Sequence, residues 1–177
     1  MYKVVPRKFK ELMSVAQDSK ACELLSSADS YLMVKRPGQN VTVVMSALIG
    51  REYNKTFGHY HKPHFAEKYK VLYGEAGILL QKLKDPDNYF GEVSEVLFKK
   101  LSAEEEFLIP KGYGHALINI GDMHLITLDD QDDNNFDHSY EPIAQKHGMA
   151  YYVVEGEKGV EFVKNPNYHE VSEVVIL

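Results

Sequence analysis

Three residues within Thr56–Gly77, TFGHYHKPHFAEKYKVLYGEAG, have the types and spacing to hold a metal ion. His59 and His61 are two apart, and in an extended strand such residues point to one face, so both imidazoles reach one ion. Lys62-Pro63-His64 breaks that strand, because proline lacks an N–H and fixes its own φ. A second strand is expected from Glu67, with Glu67, Tyr69, Val71 and Tyr73 on one face and Lys68 and Lys70 on the other. Two histidines and a carboxylate facing inward from neighbouring strands make an open metal site of borderline softness.

A second stretch, Ile109-Pro110-Lys111-Gly112-Tyr113-Gly114-His115-Ala116-Leu117-Ile118-Asn119, reads as a tight turn leading into a strand, with His115 at the start of that strand.

Strands carry most of these side chains. Residues 8–28 carry good helix formers, with Phe9, Leu12, Met13 and Ala16 on one apolar face, so a helix or two short helices are expected there. Ser30–Val34 reads as a short strand closed by the turn Arg36-Pro37-Gly38-Gln39. Val41–Ile49 is apolar on both faces, as a buried strand should be, and Arg51–Phe57 alternates more. Strands follow over 67–73, 78–83, 92–101, 106–109, 114–120 and 123–128, with Gly121-Asp122 as a hairpin turn. Ala144–Gly148 reads as a short helical turn, and Met149–Glu155 and Val160–Lys164 as strands joined by Gly156-Glu157-Lys158-Gly159. Nine or ten short strands with tight turns argue an all-β barrel with a helical N-terminal arm. Asp129-Asp130-Gln131-Asp132-Asp133-Asn134-Asn135 lacks the glycine and distal glutamate of a calcium loop and reads as an exposed loop.

The chain of 177 residues shows no composition break, no internal repeat and no low-complexity tract, and one domain over 1–177 is expected, with an arm over 1–40 and a barrel core over 41–165. A hydrophobic content of 44% supplies a core, and a net charge of −6 argues against nucleic acid and anionic membrane surfaces as partners. No apolar run approaches the roughly 20 residues that span a bilayer. The N-terminus, MYKVVPRKFKELM, has four lysine or arginine residues and no uninterrupted apolar segment, unlike a signal peptide. The single Cys22 forms no internal disulfide, which fits a reducing cytoplasm.

The two chemistry-bearing stretches together resemble the paired motifs of the cupins. His59, His61, Glu67 and Gly74 follow the first motif, with Tyr53 in place of its usual leading glycine and a longer gap between His61 and Glu67. Pro110, Gly112, His115 and Asn119 match the second at every fixed position. The wording Ile49-Gly50-Arg51-Glu52-Tyr53, Lys55-Thr56, Gly58-His59-Tyr60-His61, Ala66-Glu67 and Gly77–Gln81 is similar to the cupin-type glucose-6-phosphate isomerases of archaea and some bacteria, as are Asn119–Asp122 and His138-Ser139-Tyr140. The likeness runs from about Val41 to Tyr140 and loosely on to Asn165-Pro166; residues 1–40 match poorly.

What this resemblance implies is specific. The fold would be a cupin barrel. His59, His61, Glu67 and His115 would hold one divalent ion per chain, iron, with manganese, nickel or zinc as alternatives. His64 is the alternative to Glu67, which keeps the family's six-residue spacing to Gly74. Glu67, as proton carrier, Tyr69 and His138 would be the catalytic residues, and Thr42, Thr56, Gly58 and Tyr140 would bind the sugar phosphate, with Tyr31 a weaker match. The reaction would interconvert glucose 6-phosphate and fructose 6-phosphate; the same ligand set also serves cupin dioxygenases, and a non-catalytic sugar-phosphate-binding cupin is the other alternative. Assembly would be a homodimer. Two departures stand out: a family tyrosine falls within the Asp129–Asp133 run, and a family aromatic before the third histidine appears as Gly112, beside Tyr113. His124 is expected to be hydrogen-bonded, and His147 and His169 carry no signal.

Overall fold

The computed structural model describes residues 3–131 and 137–177. In chain order they form β1 (Lys3–Lys8), α1 (Phe9–Leu12), α2 (Ser19–Leu24), β2 (Asp29–Arg36), β3 (Gln39–Val44), β4 (Leu48–Ile49), β5 (Glu52–Tyr53), β6 (Tyr60–Lys62), β7 (Glu67–Tyr73) and β8 (Ala76–Leu83). They continue as β9 (Val93–Leu101), β10 (Glu106–Ile109), β11 (Tyr113–Asn119), β12 (Leu125–Asp129), β13 (Asp137–Ser139), α3 (Glu141–Gln145), β14 (Tyr151–Gly156), β15 (Gly159–Lys164) and β16 (Val174–Ile176). Mostly strand with three short helices, the chain is an all-β cupin fold.

Sixteen strands stand among the described residues, where nine or ten were expected. The surplus is of two kinds. β4, β5, β6 and β13 are two or three residues long, too short for a periodic signal. β1 and β16 lie at the two ends of the chain. β1 carries three basic residues and Pro6, which it tolerates because it is the edge of its sheet.

The large sheet has the order β1-β2-β3-β12-β7-β10, and a second sheet the order β11-β8-β9-β16, with β16 parallel to β9. β6 pairs with β13, and backbone bridges Lys55–Ile118 and His59–His115 join the segment before β6 to β11. One continuous core takes Val44, Val71 and Leu125 from the large sheet and Ile78, Leu80, Phe98 and Leu117 from the second. β8 and β11 are buried on both faces, which accounts for their near-continuous apolar sequence. β3, by contrast, alternates buried and half-buried residues and ends at Val44, so Val41–Ile49 is not one doubly buried strand.

The chain passes repeatedly from one sheet to the other. β7 leads into β8 through Gly74, whose φ is +85° and where a Cβ would meet the His124 carbonyl oxygen at 2.9 Å. β11 leads into β12 through Gly121-Asp122, but β11 pairs with β8 and β12 with β3 and β7. The Gly121-Asp122 turn is therefore a corner between sheets, not a hairpin. Asn119 holds it: its Nδ2 donates to the carbonyls of Val44 (3.1 Å) and Met123 (2.8 Å), and its Oδ1 accepts from Gly121 N at 3.2 Å. The expected face of β7 holds through Glu67, Tyr69 and Val71, but Tyr73 is 48% exposed. The register slips between Ile126 and Thr127 of β12, leaving Leu72 as an extra residue that breaks the alternation.

The N-terminal arm is part of the barrel. β1 pairs antiparallel with β2, and α1 and α2 are two short helices that bury Phe9, Leu12 and Cys22, with Val15 and Ala16 between them. The loop between the helices is tied down by an ion pair. Glu52 and Lys55 are almost wholly buried and paired; Glu52 Oε2 accepts from Gln17 N (2.8 Å), and Lys55 Nζ donates to the Val15 carbonyl (2.8 Å). Among the described residues no helix is long and apolar enough to cross a membrane.

Candidate active site

His59 precedes β6, His61 lies within it, Glu67 opens β7, and His115 lies in β11. β6 pairs with β13 and not with β7, so the expected neighbouring-strand arrangement of the histidines and Glu67 is not what brings them together. The decisive contact is the reciprocal backbone pairing of His59 with His115, N–H to carbonyl at 3.1 and 2.9 Å. Glu67 approaches from the large sheet.

One ligand atom from each of His59, His61, Glu67 and His115 falls within 4.8 Å of the others. His59 Nε2 and His61 Nε2 are 3.0 Å apart, His115 Nε2 and Glu67 Oε2 3.0 Å, and His61 Nε2 and Glu67 Oε2 3.6 Å. Adjacent corners of an octahedron with bonds of about 2.1 Å lie about 3 Å apart, so these separations suit a shared divalent ion. His115 Nε2 and Glu67 Oε2 are buried with no hydrogen-bond partner among the described residues, which a native fold tolerates badly unless another ligand satisfies them. Burial, then the neighbouring imidazoles, holds His59 far below the ordinary histidine range, and burial pushes His61 down to about 2. Both rings are therefore neutral near pH 7 and present lone pairs rather than charge.

A narrow chamber of about 40 Å³ adjoins this cluster and is lined in part by Tyr31, Thr42, Thr56, Gly58, Tyr69, His138 and Tyr140. His138, opposite His61 across the β13–β6 pair, sets its ring 4.3 Å from that of His59 and stacks on Tyr140 at 5.7 Å. Tyr69 is held well above the ordinary phenol range by burial and then by Glu67 and Asp129, so it remains a protonated donor. Thr56 Oγ1 accepts from Leu117 N at 3.0 Å. Gly58 has φ +84°, and a Cβ there would press on Met149 Sδ at 3.3 Å. A larger cavity of about 330 Å³ shares Tyr31, Phe57 and Tyr140 as walls and reaches Arg7 and Glu11 of the arm.

The structure also places the other residues singled out in the sequence. His64 lies outside the cluster; its Nε2 is 2.9 Å from the Pro86 carbonyl and its ring stacks on Tyr89. His124 is hydrogen-bonded, its Nδ1 accepting from Ser46 N at 2.9 Å. Tyr113 turns away, its hydroxyl on Glu95 and its ring under Lys82, so it does not fill the place of the aromatic that Gly112 replaces. Asp129, read as part of an exposed loop, is the last residue of β12, 6% exposed, and lines the chamber. Asp130 is exposed, as expected, and Asp132, Asp133, Asn134 and Asn135 lie outside the described residues. Lys35, Asn40 and Gln131 also line the chamber and were missed. The signal for Asp129 was the alternation Leu125-Thr127-Asp129, which continues the buried face of β12 one step further.

The family model described as Glucose-6-phosphate isomerase (GPI) matches residues 29–170, most of the chain and all of these residues. The chain belongs to that family. Among relatives, the glucose-6-phosphate isomerase of Pyrococcus furiosus is 31% identical over 129 residues, covering 72% of this chain and 62% of the relative. That of Thermococcus kodakarensis is 30% identical over 130 residues, covering 73% and 63%. The chain thus spans about three-fifths of the length of the glucose-6-phosphate isomerases it matches. A solved cupin domain of Drosophila melanogaster CENP-C superposes with a TM-score of 0.42 at 14% identity, over 59% of this chain and 68% of that one, too loose a likeness to bear on function.

Proposed function

We propose that this chain is a metal-dependent aldose–ketose isomerase that interconverts glucose 6-phosphate and fructose 6-phosphate. The observation that carries the reading is the convergence of His59, His61, Glu67 and His115 within 4.8 Å beside a polar pocket, in a chain of the glucose-6-phosphate isomerase family. These four residues would hold one divalent ion, iron, with manganese, nickel or zinc as alternatives. Such an ion, when bound, polarises a carbonyl and steadies the charge that develops on its oxygen.

The chain's own groups supply the rest. Glu67, buried in the chamber wall, takes the proton from C2 of the aldose and returns it to C1, its second oxygen serving as carrier. Tyr69 stays protonated and donates a hydrogen bond to the substrate oxygen that gains charge. His138, next to His59, relays the proton between the oxygens on C1 and C2. Thr42 and Thr56 hydroxyls, the backbone at Gly58 and the Tyr140 hydroxyl hold the phosphate without a cluster of arginines. A chamber of about 40 Å³ is far below the 300–1,000 Å³ typical of ligand sites, so the substrate occupies it together with the adjoining cavity of about 330 Å³, with which it shares Tyr31, Phe57 and Tyr140 as walls.

The test is a coupled assay of fructose 6-phosphate to glucose 6-phosphate on chelator-stripped protein with each metal restored. Turnover that returns with metal supports the proposal; none with any metal sinks it. Binding of the sugar phosphate without turnover would favour the non-catalytic alternative, and oxygen consumption with an enediol substrate the dioxygenase. We further infer one domain over 1–177, a cytoplasmic location and a homodimer. Light scattering that gives a mass near 20.2 kDa instead of about twice that refutes the dimer.

A further inference from the structure

Four polar residues of the chamber lie in one transverse row of the large sheet. Lys35 of β2 is opposite Asn40 of β3, Asn40 is opposite Asp129 of β12, and Asp129 is opposite Tyr69 of β7. The next row on one side is Met33, Thr42, Thr127 and Val71, without charge; on the other side β7 carries Glu67. Asp129 and Asn40 are 6% and 7% exposed. Asp129 Oδ1 accepts from Asn40 Nδ2 at 3.1 Å and from Gln131 N at 3.0 Å, which fixes the plane of the carboxylate at the chamber wall.

A buried carboxylate held by two donors is a poor neighbour for a phosphate and a strong acceptor for hydroxyls, since hydrogen bonds to an ionised acceptor are roughly twice as strong as neutral ones. The geometry points to Asp129, positioned by Asn40, as the specificity-determining group that binds a hydroxyl of the sugar chain. It leaves the phosphate to the Thr42, Thr56, Gly58 and Tyr140 groups assigned to it above. The assignment deepens the sugar-phosphate reading above and rests on it. It makes the preferred ligand a polyhydroxylated chain with a single phosphate; one phosphorylated at both ends would bring a second phosphate against Asp129.

Calorimetry with fructose 6-phosphate, its mono-deoxy analogues and inorganic phosphate, on the metal-loaded full chain and on Asp129→Asn, tests this. A site built around a substrate hydroxyl discriminates strongly against its loss. Wild type should bind one deoxy analogue at least about tenfold more weakly than fructose 6-phosphate. Asp129→Asn should weaken fructose 6-phosphate by about 10- to 100-fold and bring parent and analogue within about threefold of each other. Inorganic phosphate should bind the variant as tightly as wild type, or more tightly. Unchanged binding of fructose 6-phosphate, discrimination that persists in the variant, or a parallel loss of phosphate binding overturns the assignment. If Asp129→Asn does not fold, Asn40→Ala, which frees the carboxylate without removing it, should give a smaller loss of the same discrimination, and no loss overturns the proposal. Absence of turnover in wild type with the binding pattern intact overturns the isomerase reading alone; a wild type that binds no sugar phosphate overturns both.

Discussion

Glu67 Oε2 and His115 Nε2 face each other at 3.0 Å, both buried and neither in a hydrogen bond. A divalent ion between them and the two further imidazoles would satisfy both atoms. Metal at about 100 times its dissociation constant should raise the unfolding free energy of stripped protein by about 2.7 kcal/mol, read as a shift of the urea midpoint.

His61→Ala should cut metal content sharply, with activity falling in step, while the circular dichroism of the strands survives. The barrel is held by its apolar core and not by an ion, unlike a zinc finger. His64→Ala should keep its metal, because His64 is engaged with Pro86 and Tyr89. Elemental analysis of both variants and of Glu67→Gln decides the matter. Loss of metal in His64→Ala with retention in Glu67→Gln would overturn the ligand set.

Tyr69→Phe should lower kcat by about 10- to 100-fold with a smaller change in KM, since the phenol is needed most where charge develops. Its elevated pKa adds a second expectation: burial keeps the proton on the hydroxyl, so wild-type activity should show no loss from Tyr69 ionisation through pH 9. A pH–rate profile in wild type and variant checks both.

Lys55→Met should destabilise the fold by about 3–5 kcal/mol, because Glu52 then stays buried without its cation. The double variant Glu52→Gln, Lys55→Met should recover part of that loss. Denaturant titration of the three proteins reads the coupling, and equal midpoints for the single variant and wild type would contradict it.

Cys22 is fully buried, donates to the Phe9 carbonyl at 2.9 Å, and has its thiol pushed up to about 11 by burial. The folded protein holds this proton to higher pH than the unfolded chain, so its contribution to stability is intact below about pH 9 and falls as pH rises toward 11. Alkylation by iodoacetamide at pH 8 should be at least about a hundredfold slower in native than in unfolded protein.

The residue types of the four-residue cluster were legible because short-range geometry and motif order act together: two histidines at strand spacing, a glutamate after a break, and a third histidine after a glycine turn. How they meet was not legible, since the His59–His115 pairing joins segments far apart in the chain and leaves no local pattern. Asp129 was obscured by the acidic residues that follow it, although it continues the inward face of β12. Tyr73 was misplaced because the bulge at Leu72 arises from the pairing with β12, and nothing in the local sequence announces it. Gly121-Asp122 reads as a hairpin locally, and only the partners of β11 and β12 reveal a corner between sheets. Nothing local in Arg51–Phe57 marks Glu52 and Lys55 as a buried pair, because their partners, Gln17 and Val15, come from the arm.

The reciprocal bridge between His59 and His115 also bears on the order in which the molecule assembles. A site whose ligands come from remote segments exists only after the loop between them has closed, and long-range closure comes late in β-rich folding. Metal should therefore leave the refolding rate almost untouched and slow unfolding instead, acting as a latch on the finished barrel and not as a seed for it.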